Sequence, residues 1–364
     1  QSEFAAEHVV HLFRIAADTS VAVDVALRQA AAIRMKTVIS RGWDSAHSSA
    51  DGKAVLSAAD KAAVRDNLVE AMVVAVPVVR TQLGLCLRSI AQVDYPGNWP
   101  GLLPAICANM QQQNTERVYG ALFALRMLVK VYEFRKEAER APLHAAVEHS
   151  WPLMAQLVEM LIGTPSVEGA ELALLAMKVF WSATQISLPP PLLRAEQLAV
   201  WMRLLIGLLE QPLPPGAPED FEAAEAWRPW KVKKRVAQIV HRLLQRYGDP
   251  KRKRDGPGAK EALAFAQHFH DEWMTVCQRS CLGVLSLRAN GTACPDRVVT
   301  LCLNYLEEGV RYKRAWSDLK PQLAPLFLGV LFPLLCFTER DQKQWDEDPV
   351  EYVRKEFDVI EDFY

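Results

Sequence analysis

Asp94-Tyr95-Pro96-Gly97-Asn98-Trp99-Pro100-Gly101-Leu102-Leu103-Pro104 separates one amphipathic run from the next. Its three prolines and two glycines resist helix: an interior proline costs about 3 kcal/mol and a glycine about 1 kcal/mol. No group in it stands in a familiar catalytic arrangement. Its two aromatics, Tyr95 and Trp99, suit a joint where neighbouring helices meet. The segment therefore reads as structural punctuation, with Asp94, Tyr95, Pro96, Trp99 and Pro100 as its marks.

On both sides the apolar residues recur at helical spacing. Val64, Leu68, Ala71 and Met72 precede it, followed by Val79, Leu83, Cys86, Leu87 and Ile90. Further on, Val232, Val236, Ile239, Val240 and Leu243 repeat the pattern. This is the one-face periodicity of a packed helix. Strand alternation bounded by tight hairpin turns does not occur.

The breaks between runs are regular. Pro77 suits the first turn of a helix, and Pro152 after Trp151 is read the same way. Gly163-Thr164-Pro165-Ser166, Ser187–Pro191, Gln211–Asp220 and Gly248-Asp249-Pro250 read as stops and turns. Pairing the runs predicts 3–17 with 21–42, 59–73 with 77–93, 98–113 with 115–135 and 144–162 with 168–187. The series continues as 195–210 with 229–247, 258–283 with 295–311, and 319–337 with 347–360. Units of roughly 40 to 50 residues match two-helix HEAT-like repeats. The expected fold is all-α, a right-handed α-α superhelix (solenoid) of HEAT-like repeats; a compact bundle rarely continues through so many helices. Two inserts break the rhythm: the small, polar Gly42–Asp60 and the basic Lys251–Gly258.

The bulk numbers restrict function. In 364 residues, 42 Lys and Arg face 43 Asp and Glu, for a net charge of -1. That balance offers no global argument for nucleic acid or membrane. The longest uninterrupted apolar runs, Leu326–Phe337 and Ala71–Val79, fall short of the roughly 18–20 residues that span a bilayer. Seven scattered cysteines suggest reduced intracellular thiols. Gln1 opens on residues that already read as helix (Phe4, His8, Leu12), so the sequence is expected to be a piece of a longer chain.

Few constellations suggest chemistry. Lys231, Lys234, Arg235, Gln238 and Arg242 share one helix face, either a surface for an acidic partner or phosphate, or a solvated stripe. Lys251-Arg252-Lys253-Arg254 is a basic tetrapeptide in a Gly/Pro loop. Cys277 and Cys281, with His268 and His270 upstream, lie in apolar helix and lack the tight-turn spacing of a zinc site. Trp345-Asp346-Glu347-Asp348-Pro349 either meets a basic partner or caps a helix. No phosphate-cradling glycine loop, nucleophile elbow or His-Glu-x-x-His pair occurs. No metal, cofactor or enzymatic activity is expected.

Leu27-Arg28-Gln29-Ala30-Ala31-Ala32-Ile33-Arg34-Met35-Lys36-Thr37-Val38-Ile39, ending near Trp43, resembles the N-terminal domain of the importin-β (karyopherin-β) superfamily. Asp66–Ala71 resembles its next repeat, and Asp94–Pro104 the joint after it. Tyr132–Lys136, Glu139–Leu143, Pro229–Lys234, Arg246-Tyr247-Gly248, Phe332-Pro333-Leu334 and Trp345–Arg354 resemble the importin-seven and importin-eight branch. The implied organisation is repeats of the N-terminal type over 1–93, with the first helix incomplete, and a continuous solenoid over 94–364. The two inserts depart in composition, which leaves any loop-borne function unsupported.

The resemblance implies a nuclear transport receptor that shuttles between cytoplasm and nucleus through the pore of the nuclear envelope. Its implied partners are Ran-GTP, basic cargo such as ribosomal proteins or histones, and Phe-Gly nucleoporins. Neither a membrane nor direct nucleic-acid contact is expected. Ran-GTP would meet the second helices of the first repeats, which makes Arg28, Lys36, Arg80, Arg88, Arg126 and Lys130 candidates by helix position. The competing reading is a HEAT scaffold for an enzyme or coat complex without dependence on Ran.

Overall fold

The computed structural model describes residues 8–20, 22–44, 56–256 and 258–358. Residues 3–7 of the first expected helix and 45–55 of the first insert lie outside them. The described residues contain helices and turns and no strand.

The helices are α1 (Val9–Ala17), α2 (Val25–Gly42), α3 (Ala58–Val74), α4 (Pro77–Asp94), α5 (Leu102–Met110) and α6 (Thr115–Val131). They continue as α7 (Ala141–Gly163), α8 (Val167–Ala183), α9 (Ala195–Glu210) and α10 (Arg228–Arg242). Then come α11 (Ala259–His268), α12 (Met274–Ala289), α13 (Asp296–Gly309), α14 (Lys313–Leu319), α15 (Glu339–Glu347) and α16 (Pro349–Asp358). Local chemistry sets their starts. Asp24, Ser57, Asn114 and Ser166 accept backbone N–H bonds at the N-termini of α2, α3, α6 and α8, each such cap contributing about 1 kcal/mol. Pro77 opens α4, where its missing N–H costs nothing.

Two layers result. α1, α3, α5, α7, α9 and α12 form the first, each packed on the next, and α2, α4, α6, α8, α10 and α13 form the second. Each first-layer helix also packs on its second-layer partner. Contacts therefore run between neighbours, as in a HEAT solenoid. The three apolar faces picked out by spacing are all buried: Val64 to Met72, Val79 to Ile90, and Val232 to Leu243. Full burial of one such side chain stabilises by roughly 1.5–3 kcal/mol.

Two crossings show how tight the layers are. At Gly120 on α6, an added Cβ would lie 2.5 Å from the Cα of Val73 on α3. Between α7, α8 and α9, Trp151 stacks on Phe180 with centroids 4.9 Å apart, and Trp201 meets both edge-on or tilted.

The structure departs from the expected helices in three places. Pro152 is not at a first turn; it lies inside α7, on its exposed side. The carbonyl of residue 148, itself an exposed residue, is left without its helical donor. The run expected over 258–283 extends to Ala289, with a π turn at Phe269–Trp273. The last expected pair starts earlier and is more broken. Its first member spans Lys313–Leu335, interrupted at Pro321, Pro325 and Pro333 and by a π turn at Phe327–Leu331. By length and composition this stretch is apolar and long enough to cross a membrane, which counting uninterrupted apolar runs misses. Its second member is α16, preceded by the separate α15.

Candidate functional site

The opening segment ties three helices together. Trp43 Nε1, at the end of α2, donates to Asp94 Oδ2 at 2.8 Å. Arg65 Nη1, on α3, donates to the same oxygen at 2.9 Å. The Asp94 carbonyl receives the N–H groups of Asn98 and Trp99. Trp99 is buried, and Tyr132 from the end of α6 packs edge-on to Tyr95 and donates to its carbonyl. The Tyr95–Pro96 peptide is cis. Asp94 is thus the polar hub of the first two repeats, a role that sequence spacing did not reveal. A lone acid before a Pro/Gly run, with a tryptophan 51 residues earlier, carries no local signal.

The six basic positions proposed from helix position all lie on second-layer helices, but in different surroundings. Arg28 on α2 is buried, its Nε and Nη2 without partners among the described residues. Lys36 donates to Gln82 across α2 and α4 at 3.3 Å. Arg80 is buried, donating to the Met72 carbonyl and to Glu116 and lying over the Tyr119 ring. Arg88 is exposed. Lys130 is 3.9 Å from Glu133. Arg126 is half-buried and its Nε is unpartnered among the described residues. Burial pushes its guanidinium down from the usual arginine range.

Arg126 belongs to a second group. Across α6, α8 and α10 it borders a recess of about 90 Å³ with Tyr119, Phe123, Lys178 and Arg228. Arg228 pairs with Glu171 at 3.0 Å. Burial, then the charges of Arg126, Arg235, Arg228 and Lys231, push Lys178 down to about 8. Arg235 lies over the Trp181 ring with its Nε unpartnered among the described residues. The spaced basic stripe is therefore split. Lys231, Lys234, Arg235 and Gln238 are half-buried. Arg242 is buried, lies over the Trp181 ring as well and donates to the Trp181 carbonyl. Burial pushes Arg242 down to about 9.

Several basic residues serve helix ends instead. Arg140 donates to Ala183 O and Arg246 to Gln185 O, at the C-terminus of α8. Lys233, fully inside, donates to Leu209 O and Gln211 O at the end of α9. In the basic tetrapeptide, Arg252 and Arg254 turn back onto the Arg246 and Tyr247 carbonyls. A cation at a helix C-terminus satisfies orphan carbonyls and the dipole together. Asp348 accepts from Val350 and Glu351 N–H groups, capping α16. Cys277 and Cys281 are buried, and no cluster of metal-ligating side chains occurs among the described residues.

The first layer carries two slots with apolar walls and charged rims, the first rimmed by Glu159 and Arg203 and the second by Arg14, Asp18 and Glu70. One, of about 460 Å³, lies between α7 and α9, over Trp151 and Trp201 and walled by Ala155, Ile162 and Val200. The other, of about 500 Å³, lies between α1 and α3, walled by Val10, Phe13, Ala71 and Val74.

Residues 2–74 match the family described as the importin-beta N-terminal domain. The whole chain is 37% identical to an importin beta-like SAD2 homolog of Arabidopsis thaliana and covers 34% of it. It is 32% identical to importin-8 of Homo sapiens over 94% of this chain and 33% of that one. It is 24% identical to a probable importin-7 homolog of Dictyostelium discoideum over 92% of this chain and 31% of that one. The chain thus spans about a third of the length of the curated relatives it matches. Among solved structures it is similar to the exportin Cse1 in its cargo-free, cytoplasmic state. The TM-score is 0.73 at 18% identity, over 98% of this chain and 36% of that one; at that identity the likeness establishes the solenoid fold. With two layers of paired helices that align with importins over nearly the whole chain and open on a match to that N-terminal domain, the chain is similar to members of the importin-β superfamily.

Proposed function

We propose that this chain acts in a nuclear transport receptor, binding Ran-GTP through its first repeats and carrying cargo through the nuclear pore. The observation that carries the reading is alignment with importins over nearly the whole chain, at 32–37% identity to two of them. Cargo of the basic class, such as ribosomal proteins or histones, follows from the family resemblance, as does shuttling between cytoplasm and nucleus. Arg88 and Lys36 are the candidate Ran contacts that need least rearrangement, because one is exposed and the other half-buried. Engaging Arg80 would mean displacing Glu116. An array joined only by neighbour contacts bends at small cost per repeat, so Ran and cargo can favour different curvatures. The slots between α1 and α3 and between α7 and α9 suit the phenyl groups of Phe-Gly repeats.

The test is capture of the 364-residue chain on immobilised Ran loaded with GTP or with GDP. Retention on the GTP form alone, reduced by Arg88→Glu, is expected. Equal retention on both, or none, refutes the Ran reading and favours the scaffold alternative. Val200→Glu should lower capture on Phe-Gly peptide beads by placing a charge on the slot's apolar wall.

A further inference from the structure

The third to fifth repeats assemble a cationic cluster; the Ran reading takes only Arg126 from it, and basic cargo would take none of it. Arg126 comes from α6, Lys178 from α8, and Arg228, Lys231 and Arg235 from α10. Arg228 is paired with Glu171. The other four form no ion pair among the described residues, although ion pairs occur elsewhere along the array. Glu133 is near but engaged: it accepts from Ser182 Oγ at 2.9 Å and faces Lys130. Two guanidinium Nε–H groups, on Arg126 and Arg235, are buried with no acceptor among the described residues. Holding like charges together with unfilled donors costs the free chain stability. Bound carboxylates relieve the like-charge cost through the accessible ends of these half-buried side chains.

The surroundings of the cations select among anions. Tyr119, Phe123 and Trp181 stand half-exposed between them. Such a surface suits carboxylates alternating with apolar side chains. Glu171 and Glu133 lie within the patch, where they oppose a continuous phosphate backbone but leave room for separated carboxylates. The chain's net charge of -1 supplies no long-range field for nucleic acid. Lys231 and Lys234 border a further recess with Arg297 at the start of α13, so the surface continues along the second layer.

We infer that α6, α8 and α10 form a docking surface for an acidic, aromatic-containing segment of a partner protein, gripped by Arg126, Lys178 and Arg235. Successive helices lie about 8–10 Å apart, so carboxylates two to three residues apart in an extended segment would meet successive cations. The inference does not depend on Ran binding and stands or falls without it.

The test uses the full chain and a fluorescein-labelled peptide of repeating Asp-Glu-Phe, read by fluorescence anisotropy. Binding that weakens with added salt is expected. Arg126→Gln and Arg235→Gln should each weaken it about ten-fold or more, the usual effect of losing a hydrogen bond to a charged group. Lys178→Gln, at a half-exposed position with no hydrogen bond among the described residues, should act in the same direction and keeps the test open if an arginine variant unfolds. Lys251→Gln/Lys253→Gln removes two charges from the basic loop, twice what each cluster variant removes, and should leave affinity unchanged. As pH rises from 7 to 9, Lys178 loses its proton among Arg126, Arg228, Lys231, Arg235 and Glu171. Affinity should then fall, and this pH dependence should shrink in Lys178→Gln to the part that Arg242 supplies near pH 9. Wild-type affinity in the three cluster variants, or equal loss in the loop variant, overturns the proposal. So does a single-stranded RNA of equal charge that binds more tightly and depends on the same residues, which would make the surface a nucleic-acid site.

Discussion

Replacing Asp94 tests whether the first two repeats are held by a polar hub. Asp94 is 6% exposed and accepts from the Trp43 indole at 2.8 Å and from Arg65 at 2.9 Å. Asp94→Ala leaves a buried indole N–H unpaired, at a cost of about 1–2 kcal/mol. It also leaves Arg65 without its carboxylate. Arg65 is 19% exposed, so water recovers part of that loss, leaving about 1 kcal/mol. The sum is about 2–3 kcal/mol, or roughly 30- to 150-fold in a local opening equilibrium. Asp94→Asn keeps an acceptor for the indole and loses mainly the charge, for about 1.4 kcal/mol, or roughly 10-fold. Because repeats contact only their neighbours, the loss should stay local. Amide hydrogen exchange followed by mass spectrometry is the assay. Exchange in α2, α3 and α4 should accelerate by about those factors, with α12 and α13 unchanged. Unchanged protection in α2–α4 would refute the hub, and equal acceleration at α12–α13 would refute the locality.

Two further expectations concern packing and protonation. Gly120→Ala places a Cβ 2.5 Å from the Val73 backbone, so α3 and α6 must separate, at about 1–3 kcal/mol; a melting temperature equal to that of wild type would contradict this close crossing. Lys233 is pushed down to about 8 by burial, from 10.5. Below pH 8 both states hold the proton and the folded chain bears the full burial cost. Between pH 8 and 10.5 the unfolded chain binds more protons than the folded chain, so this residue's contribution makes stability rise with pH. The stability difference between wild type and Lys233→Met, from urea midpoints, should shift toward wild type across that window; a flat difference would place the Lys233 pKa elsewhere.

Much of the architecture is legible in order and spacing. The apolar faces of α3, α4 and α10 follow from 3.6-residue periodicity, and most helix ends from caps, glycine and proline. Pro152 is the instructive exception. Local chemistry favours a helix start there, yet Leu143, Val147, Met154 and Val158 bury one continuous face of α7 and outweigh the proline. The functional surfaces are less legible. Arg126, Lys178 and Arg235 lie in three separate helices, and Lys178 stands alone in an apolar run. Nothing in sequence spacing brings them together. Arg242 and Lys233 look equivalent to Lys231 and Lys234 along the chain, but the first pair serves helix ends inside the array.

The sequence by itself determined that this is a helical array, where its helices break, and which family it resembles. Periodicity, turn chemistry and motif order are properties of neighbouring residues, and they survive without tertiary context. Only the tertiary structure decided what Asp94–Pro104 accomplishes and which cations are left without an ion pair among the described residues. A buried carboxylate binds donors 29 and 51 residues away, and a charge is spent or available according to what packs over it. Those are facts of helix-on-helix geometry, which one chain segment cannot express.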